Sequence, residues 1–99
     1  MSYQAAIVRD ARLIILRELD LQVDGQLNDT SLRRVLDVYG IKRTNDWVLT
    51  QLNSLAELGA VSLKPYGIVH VATITATGRD HVHERAVLGG VSRPHEFGK

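Results

Sequence analysis

Apolar residues in the stretch 44–61 fall at Val48, Leu52, Leu55 and Leu58, steps of three and four that place them on one stripe of an α-helix. The opposite side is polar. It carries Asn45, Asp46, Thr50, Gln51, Asn53 and Glu57, side chains that suit contact with a partner better than a core. Thr44 can accept a hydrogen bond from an orphan backbone N–H at the start, and Gly59 sits where a left-handed residue closes a helix, so the pattern predicts a helix over 44–58.

The same period governs most of the chain. Residues 3–21 predict a long helix without Pro or Gly, with Ile7, Ala11, Ile14, Ile15 and Glu18 on one face. Val8, Leu13, Leu16 and Leu19 widen its apolar band beyond what one contact face needs. Either the helix is central and covered by its own chain, or one side packs on a second subunit. After a loop at 20–25, Leu27 suits a very short strand. A second helix over 29–39 follows, with possible caps in Asn28, Asp29 and Thr30, a stripe of Leu32, Val35, Leu36 and Tyr39, and Arg33, Arg34 and Asp37 on its solvent side. Residues 39–43, with Gly40, read as a tight turn into the helix at 44–58, which is the outline of a helix-turn-helix.

The period then changes. Residues 60–64 and the β-branched run 68–74 are two short extended stretches around Pro65, Tyr66 and Gly67, which predicts a β-hairpin over 60–74. A hairpin directly behind a helix-turn-helix is a wing. Thr75 or Thr77 caps a last helix expected over 76–88, stopped by Gly89 and Gly90. The fold class is therefore α+β, a winged-helix domain over 1–90. A tail at 91–99, with Pro94 and Gly98, is expected to be extended or loosely ordered.

Composition narrows the possibilities. Ninety-nine residues suit one domain, and 44% apolar residues exclude a disordered chain. The longest apolar run, 13–16, is too short to cross a bilayer, and no secretory signal is visible, so a cytoplasmic protein is expected. With no cysteine, disulfides and thiolate chemistry are ruled out. Lys and Arg number 12 against 11 Asp and Glu, so any affinity for phosphate must come from a local cluster of cations.

Two phrases resemble a known family. Leu52-Asn53-Ser54-Leu55-Ala56-Glu57-Leu58-Gly59-Ala60-Val61 is similar to the end of the recognition helix and first wing strand of winged helix-turn-helix regulators of the MarR and ArsR kind. Ile74-Thr75-Ala76-Thr77-Gly78-Arg79 resembles the step from wing to next helix in those proteins, and the chain also looks like small winged-helix proteins of Mu-like phages and prophages. The resemblance implies a dimeric, sequence-specific regulator of transcription whose second helix of the helix-turn-helix enters the major groove of double-stranded DNA. Pairing through the first and last helices would set two such helices about 34 Å apart. The residues that would meet DNA are Arg33, Arg34, Lys42, Arg43, Thr44, Asn45, Thr50, Asn53, Lys64 and Arg79. Trp47 is expected to pack beside Tyr39.

Other chemistry finds less support. Asp80, His81, His83 and Glu84 concentrate metal-ligand types, and some ArsR-type regulators hold zinc on such a helix. His81 and His83 point about 200° apart on a helix, so a site would need Asp80 with His83 or Glu84 plus ligands from another segment, such as His95 in the tail, or from a second subunit. The simpler reading is polar surface, with Arg85 as a salt-bridge partner, and no metal or cofactor. No phosphate loop, nucleophile turn or spaced carboxylate pair suggests an enzyme. Near-neutral charge and the acidic Asp46 and Glu57 favour one alternative, a winged-helix scaffold that binds protein without strong affinity for DNA.

Overall fold

The computed structural model describes residues 2–97. It is an α+β fold of four α-helices and a three-stranded antiparallel sheet: α1 (Tyr3–Leu21), β1 (Gln26–Asn28), α2 (Asp29–Val38), α3 (Asn45–Glu57), β2 (Val61–Tyr66), β3 (Val69–Ile74) and α4 (Ala76–Val82), with a 3-10 turn at Pro94–Glu96. Among the described residues no helix is long and apolar enough to cross a membrane.

The helix ends follow from local chemistry. Ser2, Asn28, Thr44 and Thr75 each accept a hydrogen bond from a backbone N–H of the first turn that follows them. Two helices close in the same way. At the end of α2, Gly40 takes a φ of +83°, its N–H donates to the Asp37 carbonyl and Ile41 N–H donates to Leu36. At the end of α3, Gly59 has a φ of +77°, with Gly59 N–H on Ala56 and Ala60 N–H on Leu55. These are Schellman closures, which need a residue at ease in the left-handed region, and each swings an apolar residue, Ile41 or Ala60, back into the core.

α1 is the centre of the molecule. Ala11, Leu13, Ile14, Ile15, Leu16 and Leu19 are all buried, because α2, α3, α4 and the sheet pack around the helix. Of the two explanations for its wide apolar band, the chain itself supplies the cover. The reason the band offered for a second subunit is thereby removed. From α3, Val48, Leu52 and Leu55 complete the core, while Leu58 stays exposed.

β3 lies in the middle of the sheet, in the order β1-β3-β2. The short strand expected at Leu27 pairs with it, Leu27 opposite Ala72, and β2 runs antiparallel from Val61 opposite Ile74 to Tyr66 opposite Val69. The hairpin turn is tighter than the sequence suggested. Pro65 and Tyr66 belong to β2, and only Gly67, at φ +58°, and Ile68 form the loop. Pro65 is tolerated because β2 is an edge strand.

One expectation fails at the C-terminal end. α4 stops at Val82 instead of 88, because residue 84 turns left-handed (Glu84, φ +61°) and the N–H groups of Arg85 and Ala86 fold back onto the Asp80 carbonyl. The segment that follows, expected to be extended or loosely ordered, is docked on α1. Val91 is buried, Ser92 N–H donates to the Arg9 carbonyl, and Ser92 Oγ donates to Asp10 at 2.6 Å. Arg12 reaches the Gly90 carbonyl, and Phe97 lies under the Arg17 guanidinium and beside the Tyr39 ring. Residues 98–99 of that tail lie outside the described residues.

Candidate nucleic-acid interface

The Schellman turn after α2 has a positional consequence. Ile41 is drawn inward, so Lys42 and Arg43 are delivered together at the entrance to α3, facing the side of α2 that carries Arg33 and Asp37. These four residues, with Thr44 and Trp47, line an open cleft of about 570 Å3. The Arg43 guanidinium lies over the Trp47 ring, 5.4 Å from its centroid, and Arg43 Nη1 donates to the Lys42 carbonyl at 3.1 Å. Trp47 therefore pairs with Arg43, not with Tyr39, whose ring partner is Phe97.

Along α3, Asp46, Thr50, Asn53 and Glu57 form an exposed stripe running away from that cleft. Asn53 is exposed. Thr44 and Thr50 are exposed with their hydroxyls engaged locally, Thr44 as the cap of Trp47 N–H and Thr50 donating to the Asp46 carbonyl. Asn45 is half-buried and donates to Thr30 Oγ1 at 3.3 Å, tying the start of α3 to the start of α2. Arg34 on α2 and Lys64 on β2 are exposed.

Gln51 does not belong to the exposed stripe. It is buried, its carbonyl oxygen accepts from Arg12 Nε at 3.0 Å, and its amide donates to the Trp47 carbonyl. Partial burial of the Arg12 guanidinium lowers its pKa from the usual value. Arg79 is also used elsewhere. Its Nη1 donates to Asp20 Oδ1 at 2.7 Å, and His83 Nε2 meets the other oxygen of that carboxylate at 2.9 Å, so Arg79 fastens α4 to the end of α1.

The residues considered as metal ligands are taken up in pairs. His81 is buried; its Nδ1 accepts from Leu88 N–H at 3.0 Å, so Nε2 carries the proton and donates to the Ser92 carbonyl at 2.9 Å. Asp80 pairs with Arg85, the partner expected for it, and Glu84 meets His95 Nδ1 at 3.1 Å. On β3, His70 approaches the buried Asp29, Nδ1 to Oδ2 3.7 Å, and its backbone N–H donates to Asp29 Oδ1. Sequence reasoning missed the part of Asp37 in the cleft. The signal was its spacing of four residues from Arg33, which places both on one face of α2.

Over 88 residues, 89% of this chain and 91% of the other, the sequence is 35% identical to a protein of Escherichia phage Mu described as uncharacterized protein gp26. No family model matches the chain. No solved structure matches it either.

Proposed function

The chain belongs to the family of the phage Mu protein gp26, and we propose that within this family of small phage proteins it acts as a winged-helix, sequence-specific DNA-binding regulator. The observation that carries the reading is a juxtaposition. Lys42 and Arg43 stand at the entrance to α3 beside Arg33, and the exposed stripe of that same helix continues with Thr50 and Asn53. Cations at one end of a helix position it on phosphates, and short amide and hydroxyl side chains farther along suit base edges. The order helix, short strand, helix, turn, helix, hairpin, with the first strand paired to the hairpin, is compatible with a winged helix. In that reading α3 is the recognition helix and β2 and β3 form the wing, with Lys64 on its edge.

Fluorescence anisotropy on a labelled duplex, repeated at several salt concentrations, tests the proposal. A phosphate-anchored protein loses affinity steeply as salt rises, and Arg43→Ala should weaken binding about fivefold and flatten the log–log salt slope by about 0.9, the share of one phosphate contact. Selection from a random duplex pool would then define the preferred site. Absent or salt-independent binding counts against DNA as the partner. One observation favours the second reading, a protein-binding scaffold: Asp46 and Glu57 are exposed on the same face of α3, where phosphate would be repelled.

A further inference from the structure

Resting on the DNA-binding reading, we infer that the cleft between α2 and α3 is a seat for one backbone phosphate of duplex DNA, that Trp47 is the residue that positions its arginine, and that Asp37 weakens it. Three cations, Arg33, Lys42 and Arg43, share the cleft wall. A flexible arginine at a surface turn would ordinarily sample many rotamers, and ordering it on binding would offset much of the gain. Here the Trp47 ring face holds the guanidinium, and the bond from Nη1 to the Lys42 carbonyl fixes its direction. The remaining N–H groups are left for an anion, in the planar arrangement that matches a phosphate. Trp47 is itself anchored: it packs against the core, and its backbone carbonyl accepts from buried Gln51, which is held in turn by Arg12 of α1. The platform is thus built into the fold.

Asp37 sets the strength. It lines the same cleft one helical turn beyond Arg33, so its carboxylate attracts the cations and repels an incoming phosphate. A cleft of this composition grips a diester only when several contacts along the duplex act together, and it holds free inorganic phosphate poorly. Lys42 and Arg43 attract the phosphate, whereas Trp47 and Asp37 set how well they do it.

Trp47 is the sole tryptophan of the chain, so its emission reports on the cleft without a label. Titrating the full chain with a mixed-sequence 30-base-pair duplex should change that emission with the same midpoint and salt dependence as anisotropy. Trp47→Leu, which keeps apolar volume without the ring, should weaken duplex binding about two- to fivefold, while Trp47→Phe should recover part of the loss. Asp37→Asn should tighten binding about two- to threefold, with the salt slope of the wild-type protein. Circular dichroism melts identify any variant that loses its fold, and Asp37→Asn, at a half-exposed position, tests the cleft independently of the aromatic substitutions. If the wild-type protein binds duplex with a steep salt slope but the emission does not move and Trp47→Leu and Asp37→Asn both bind as wild type, the cleft assignment is overturned and the DNA reading stands. If no salt-dependent duplex binding occurs, the DNA reading and the inference fall together. Single-stranded DNA of the same length binding more tightly, or inorganic phosphate at millimolar concentration displacing the duplex, would also overturn the assignment.

Discussion

At the scale of single residues, Gly78 shows how a short motif acquires a physical reason. The phrase around Thr75 and Gly78 was legible as a step from hairpin to helix, but not why the fourth residue must be so small. Gly78 is buried where α4 begins, and a Cβ there would run into the Ala60 carbonyl and the Ile74 side chain. Gly78→Ala sets two effects against each other: a gain of up to ~1 kcal/mol in helix propensity and an overpacking cost of about 1–3 kcal/mol. Backbone on the receiving side cannot move aside as a flexible side chain can, so the cost should win. The variant should melt roughly 4–8 °C or more below wild type, as about 1 kcal/mol does in a domain of this size; a higher melting temperature would refute the packing account. Gln51 marks the opposite limit of legibility. By spacing it sits beside the polar stripe; its amide N–H finds the nearby Trp47 carbonyl, but its oxygen is met by Arg12, thirty-nine positions away. Such a partner leaves no local trace in a sequence.

At the scale of elements, α1, α2, α3 and the hairpin were readable because local signals agree with the hydrophobic period: apolar spacing along α1, a cap and a closing glycine at α2 and α3, and two extended runs about Gly67 in the hairpin. α4 was misread beyond Val82 because the stretch 80–88 lacks a helix breaker until Gly89. The left-handed turn occurs at Glu84, a residue type with no preference for it, and is held by tertiary contacts: His81 bonded to both Leu88 and Ser92, and Glu84 to His95. Those contacts make 88–97 a strap across α1, with Val91 as its apolar anchor. Val91→Asp would place a carboxylate in that anchor site, and the segment should detach to avoid burying it. The loss cannot exceed the net docking free energy, because a released strap regains its conformational entropy. Thermal unfolding should therefore shift down, by ~4–8 °C for each 1 kcal/mol of docking free energy lost. An unchanged melting curve would restore the picture of a loose arm.

At the scale of the whole molecule, charge and copy number bear on each other. A formal charge of +1 supplies almost no long-range attraction to DNA, so any affinity for it would have to come from the cations on the α2, α3 and β2 side, namely Arg33, Arg34, Lys42, Arg43 and Lys64. Arg79 is excluded by its bond to Asp20. Five cations at about 0.9 each set a ceiling near 4.5 on the log–log salt slope for one copy of the chain. The burial of the α1 band within one chain removes the strongest sequence argument for a preformed dimer, and the large exposed apolar residues, Leu21 and Val23 near the end of α1 and Val38, Ile68 and Val87 among them, are spread along the chain. We therefore expect sedimentation equilibrium at about ten micromolar to give a single chain of 11.0 kDa without DNA. On a duplex carrying one preferred site the salt slope should then stay below that ceiling. Two copies set one helical turn apart would about double it. A slope well above 4.5 with a monomer in free solution would mean that pairing occurs on the DNA. A 22-kDa species without DNA would return the first and last helices to consideration as a subunit contact, and would require the exposed ends of those helices, Leu21 and Val23 beside α1 among them, to be covered in it.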